Sequence, residues 1–127
     1  MADVLVKHPD GCIDLYEVKN SLRVSDTFRN DVSVQHYVIC NALQKQYPDN
    51  LHLHVRSFSI VYNDGNDGPV KEDLLDYAVS QTEMVASRIG EMRDVLRHDE
   101  PVMDMGNRCV TPYACPYEHY CSKSRRI

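Results

Sequence analysis

The sequence has no tryptophan, only five glycines and six prolines, and fewer basic than acidic residues, 14 Lys and Arg against 19 Asp and Glu. No apolar stretch approaches the roughly 20 residues that a membrane-spanning helix needs. The opening residues, Met1-Ala2-Asp3-Val4, have neither the basic region nor the apolar core of a secretory signal, so a cytoplasmic location is expected. The net charge of −5 has the wrong sign for an ordinary nucleic-acid-binding module, whose affinity rests on cationic contacts to phosphate. It weighs less against an enzyme that reaches phosphate through a divalent cation, because carboxylates hold that cation. One local basic cluster, Lys123-Ser124-Arg125-Arg126, reads on its own as a solvated tail.

At 127 residues, 43% hydrophobic and 26% charged, the chain has room for one domain with a modest core and a short appendage. Its cysteines are Cys12, Cys40, Cys109, Cys115 and Cys121. An odd number without a signal sequence argues against a disulfide framework. The crowding of three of them into the tail asks for a chemical reason.

Ala2 to Lys7 is short and β-branched and predicts a strand. His8-Pro9-Asp10-Gly11 predicts a turn, and Cys12 to Lys19 alternates as a second strand, with Ile13, Leu15 and Glu17 sharing a face. Ser25-Asp26 marks a helix N-cap. From Thr27 to Tyr47, Phe28, Val32, Gln35, Ile39, Ala42, Leu43 and Gln46 recur at helical spacing. Leu51 to Tyr62 alternates as a strand, Asn63 to Pro69 is a loop, and Lys71 to His98 predicts one long helix. Within it, Gly90 costs about 1 kcal/mol relative to Ala and suggests a close contact or a bend. Regular structure is expected to end near Pro101.

The most informative stretch is Asp3 followed, across the hairpin, by Glu17-Val18-Lys19. Residues i and i+2 of a strand project to the same side, so Glu17 and Lys19 point together, and pairing of the two strands can bring Asp3 alongside. Two converging carboxylates repel unless a cation sits between them, and Mg²⁺ commonly uses one or two of them. A lysine beside such an ion can orient or deprotonate water, or stabilise a charged transition state. The plainer reading is a solvated hairpin face with a weak ion pair.

Asp3, Glu17-x-Lys19 and a following helix with Gln35-His36-Tyr37 together resemble the PD-(D/E)xK nuclease superfamily. More narrowly they are similar to its RecB-like branch, which includes the AddB and CRISPR-associated exonucleases. The resemblance implies that Asp3 and Glu17, with the backbone carbonyl of Val18, bind Mg²⁺ or Mn²⁺. It also implies that Lys19 assists hydrolysis and that Gln35 supports the site from the helix. Ser21, just past the strand, could meet phosphate, although a turn serine is the simpler account. In the family a helix and a strand precede the motif aspartate, so the resemblance implies a missing N-terminal segment of the same protein as a partner.

The tail Cys109-(x5)-Cys115-(x5)-Cys121 has two equal gaps, wider than the usual zinc pairs. Thiolates suit soft metals and iron–sulfur clusters, whereas three buried cysteines would also pass as small hydrophobes. The setting Pro112-Tyr113-Ala114-Cys115-Pro116-Tyr117 is similar to the cysteine tail of iron–sulfur RecB-like nucleases, which implies a [4Fe-4S] cluster, or zinc with His119 as a fourth ligand. Cys12 and Cys40 read as core residues. His52 and His54 alternate on a strand but lack a third ligand.

These readings predict an α/β, restriction-endonuclease-like core, a small mixed sheet flanked by helices, with a cysteine-rich C-terminal tail. The nuclease core would occupy residues 1–100 and the metal-binding tail 101–127. The implied activity is metal-dependent hydrolysis of nucleic-acid phosphodiester bonds, with DNA as the partner. The alternative is a non-catalytic structural or nucleic-acid-binding module on the same fold, stabilised by the tail metal.

Overall fold

The computed structural model describes residues 2–66, 68–111 and 113–123. Ser124, Arg125 and Arg126 of the basic cluster, Pro112 of the cysteine tail and Asp67 of the Asn63–Pro69 loop lie outside them. The chain divides into two compact units, Met1–Gly90 and Glu91–Ile127.

The first unit is an α/β fold around a four-stranded mixed sheet. Strands β1 (Val4–Lys7) and β2 (Cys12–Lys19) form the predicted hairpin, with Val4 opposite Tyr16 and Lys7 opposite Ile13. Gly11 closes the turn at φ +90°, and a Cβ there would lie 2.7 Å from the carbonyl oxygen of His52. Helix α1 (Asp26–Gln46) starts where Ser25 Oγ accepts a hydrogen bond from the Phe28 N–H, as the N-cap reading anticipates. It returns the chain so that β3 (His54–Asn63) pairs parallel to β2. Strand β4 (Pro69–Asp73) then pairs antiparallel with β3, giving the order β1-β2-β3-β4.

Two expectations change here. Residues 71–73 are strand, not helix, and the helix expected from Lys71 to His98 is two pieces, α2 (Leu75–Ser80) and α3 (Thr82–Val95). The cause of the first change is visible at Asp73. Its Oδ1 accepts from both Phe58 N and Leu75 N, holding the β4 end to β3 where α2 begins. Beyond α3 the described residues hold only a single 3-10 turn at Asn107–Cys109 and helix α4 (Glu118–Lys123). Among the described residues no helix is long and apolar enough to cross a membrane.

The core lies between one face of the sheet and the helices. Ile13 and Leu15 of β2 and Phe58 and Ile60 of β3 meet Val32 of α1, Leu74 and Ala78. Phe28, Ile39 and Leu43 pack against them as the helical spacing predicts, whereas Ala42 and Gln46 are exposed. Arg29 ties α1 to the far edge through Glu72 (3.4 Å) and lies over the Tyr77 ring.

At the start of β2 the register with β3 slips by one residue. Ile13 faces Val55 and Asp14 faces Ser57, so Arg56 is the extra residue. It swings back to clamp the buried Asp14 carboxylate at 2.7 and 3.2 Å, joined by Ser57 Oγ and His8 Nε2, each at 2.8 Å. These donors hold the Asp14 carboxyl far below the usual carboxylate range, Arg56 foremost. Elsewhere, burial lowers the pKa of His36 on the inner face of α1.

Two glycines should respond to alanine in opposite directions. Gly11→Ala forces a side chain into positive φ and against the His52 carbonyl, and should lower unfolding free energy by at least about 1–2 kcal/mol. Gly90, helical and with no atom near a would-be Cβ, marks no close contact, so Gly90→Ala should raise it by up to about 1 kcal/mol. Urea denaturation of both variants checks the pair.

Acid should destabilise the fold in two stages. Asp14 and His36 both have depressed folded pKa values, so at each the unfolded chain binds more protons and stability falls as pH falls. His36 begins to contribute this loss as pH drops through its ordinary 6.5, and Asp14 only as pH drops below its ordinary 3.8. Thermal melts from pH 8 to 2 should lose the first stage selectively in His36→Leu and the second in Asp14→Asn.

Candidate metal and phosphate site

At the other end of β2 the same strand carries a different polar group. Glu17 continues the inward face of Ile13 and Leu15, and so lies 7% exposed at the rim of the core. An ionised carboxylate there needs donors. Lys19, two residues on and on the same side, donates from Nζ to Glu17 Oε1 at 2.7 Å. Gln35, on the inner side of α1, reaches Glu17 Oε2 from Nε2 at 3.4 Å. Its other amide atom, Oε1, is buried without a hydrogen-bond partner.

The lysine is held on three sides. Besides Glu17 it donates to Asp31 Oδ2 at 3.1 Å, and its Nζ lies 5.1 Å from the centre of the Phe28 ring, within cation–π reach. The Glu17 carboxylate, then Asp31, keep the ammonium above its ordinary pKa against the burial that lowers it. Lys19 is therefore a cation throughout the neutral range.

Asp3 sits at the head of β1. Its N–H donates to the Tyr16 carbonyl at 2.9 Å, and its Oδ2 accepts from the Val18 N–H at 2.8 Å. The β1–β2 register, continued by one pair from Val4 opposite Tyr16, sets Asp3 against Glu17. The structure thus gathers Glu17, Lys19 and Gln35 by direct contact and fastens Asp3 to the intervening Val18, through the Val18 N–H. Ser21 closes a turn, donating from Oγ to the Arg23 carbonyl at 2.8 Å, which accounts for it without phosphate. Tyr37 is half-buried, and its carbonyl accepts from Asn41.

Asp31 was not singled out in the sequence. The signal was available: it precedes Gln35 by four residues, one helical turn, so the two share a face.

Asp3 and Glu17 are oxygen donors of the kind hard cations take, and the Gln35 Oε1 is buried without a partner. No group of three or more His, Cys, Asp or Glu side chains is drawn together for a metal among the described residues. That holds for Asp3, Glu17 and Asp31 as for the tail, where Cys109, Cys115 and Cys121 are all half-buried free thiols. Cys109 Sγ lies 4.0 Å from Met105 Sδ, and the Cys115 and Cys121 N–H groups donate to the carbonyls of Cys109 and Tyr117. His52 is exposed, and His54 bonds its carbonyl through Nδ1 and meets Cys12 Sγ at 3.5 Å through Nε2.

The chain matches no family model, no curated protein and no solved structure.

Glu17 and Lys19 should be mutually dependent. Glu17→Gln leaves a largely buried ammonium short of a carboxylate and should cost about 2 kcal/mol of unfolding free energy, less than a fully buried pair would. The double variant Glu17→Gln/Lys19→Met should recover part of that loss. Urea melts of the singles and the double read the coupling, and strict additivity would mean that the pair contributes nothing.

Proposed function

We propose that this chain is a PD-(D/E)xK-type nuclease core of the RecB-like kind, hydrolysing phosphodiester bonds of DNA with Mg²⁺ or Mn²⁺. The observation that carries the reading is the convergence of Glu17, Lys19 and Gln35, with Asp3 tied to Val18 between them. The sheet supports it as well. The four-stranded mixed sheet, with a helix crossing between the parallel strands β2 and β3, agrees with the small mixed sheet flanked by helices that the resemblance implies.

In this reading Asp3 and Glu17 hold the metal, which supplies Lewis-acid activation of water and charge neutralisation at phosphate. Gln35 orients Glu17 through its Nε2, and its Oε1 is placed to accept a hydrogen bond from a water in the site. Lys19, protonated, stabilises negative charge on the phosphate oxygens, and its raised pKa argues against a role as general base. A second reading, a non-catalytic module on the same fold, is favoured by one feature: Lys19 satisfies Glu17 without any metal.

Calorimetry with Mn²⁺ and cleavage of end-labelled single- and double-stranded DNA separate the two. The wild-type chain should bind Mn²⁺ and cut. Glu17→Ala should lose binding and activity together, whereas Lys19→Ala should keep the metal and lose about 10²–10³ in rate, the usual cost of one transition-state donor. A wild-type chain that binds no Mn²⁺ would sink the catalytic reading.

A further inference from the structure

Lys19 raises a problem that the nuclease reading must solve. Its ammonium lies 2.7 Å from Glu17 Oε1, on the carboxylate proposed to hold the metal ion. A divalent cation and an ammonium on one carboxylate repel each other at short range, so metal entry must move the lysine. A lysine with 20% of its side chain exposed cannot leave its carboxylate for an apolar wall without a desolvation cost. It needs a second anion within reach.

Resting on the nuclease reading, we propose that Asp31 is the positioning residue for Lys19, the acceptor that takes the ammonium when Glu17 takes the metal. The geometry fits this transfer. Asp31 Oδ2 is already 3.1 Å from Nζ, and the Asp31 side chain is 51% exposed, so the transfer buries no further carboxylate. It stands on the first turns of α1, one turn before Gln35, which holds the other Glu17 oxygen. The helix thus carries both partners, one for the carboxylate and one for the lysine. Phe28, one turn earlier, lies beneath the ammonium in the resting arrangement and limits its alternatives. After the transfer Lys19 remains charged and close to the site, free of Glu17 and able to face a phosphate oxygen.

The proposal separates Asp31 from a metal ligand. A ligand, or a remote charge, would affect metal binding whatever residue stood at position 19. A lysine acceptor acts only through the lysine. Mn²⁺ calorimetry on the full chain should therefore find that Asp31→Asn weakens binding by about tenfold, the scale of a supporting-residue loss. Lys19→Met, which removes the competing ammonium, should bind Mn²⁺ more tightly than wild type. In the Lys19→Met background, Asp31→Asn should change affinity by less than about twofold, and Asp31→Glu in the native background should restore most of what Asn loses. An Asp31→Asn effect that survives intact in the Lys19→Met background would overturn the proposal.

A metal-free measurement guards against a trivial folding effect. Circular dichroism and urea denaturation should show Asp31→Asn as cooperatively folded as wild type under the calorimetry conditions, so that its weaker Mn²⁺ binding reads the site and not the fold. If wild type binds no Mn²⁺, the nuclease reading and this inference fall together. If wild type binds and Asp31→Asn binds equally well, only the inference fails.

Discussion

Two parallel strands cannot be joined by a tight turn, and that constraint arranges the first unit. Because β2 and β3 run side by side in the same direction, the chain must travel back the length of the sheet between them, and a helix is the compact way to do it. Helix α1 has 21 residues, about 31 Å at 1.5 Å per residue, and β2 has eight, about 26 Å. The crossover therefore spans the whole strand. Its first turns fall over the end of β2, and that end carries Glu17 and Lys19. The meeting of Asp31 and Gln35 with the hairpin follows from topology together with a four-residue spacing on the helix.

The two ends of β2 handle buried carboxylates differently. Asp14 receives four hydrogen bonds from three side chains, among them both arms of the Arg56 fork. Nothing is left for another ligand, and the bulge that brings Arg56 into range fixes the strand register. Glu17 has one strong donor and one long one, and the amide beside it keeps a buried acceptor without a partner. A saturated network is a structural lock. This contrast in hydrogen bonding separates the two acidic positions more sharply than burial does.

Much of this was legible in the sequence, for identifiable reasons. The hairpin, α1 with its Ser25 cap, and most of β3 are local in origin: turn residues at 8–11, period-two alternation, and a capping serine before a helical stripe. The same-side placement of Glu17 and Lys19 follows from strand geometry alone. Strand β4 was not legible, because Val70-Lys71-Glu72 has no alternation of its own and becomes strand only by pairing with β3. The double use of Asp73 Oδ1 is likewise a tertiary fact, and it converts an apparent helix start into a strand end. Arg56 shows a third limit: its partnership with Asp14 and His8 depends on a one-residue slip that no periodicity announces. In the tail, the regular spacing of Cys109, Cys115 and Cys121 suggests a common centre, and among the described residues no group of three such side chains is drawn together for a metal.

The charge balance bears on how an acidic chain could meet DNA. Asp3, Glu17 and Asp31 against Lys19 leave this end of the hairpin two formal charges negative at neutral pH, the complement of one divalent cation. Without that ion the region would repel a phosphate; with it, the region is neutral and the ammonium becomes the dominant local charge facing a ligand. In the proposed nuclease reading, affinity for a phosphodiester would then be conditional on metal, which would reconcile a net charge of −5 with a nucleic-acid substrate. It also assigns the lysine its chemistry. An ammonium held above its ordinary pKa by two carboxylates is a poor proton acceptor from water, so what Lys19 can offer a reacting phosphate is positive charge.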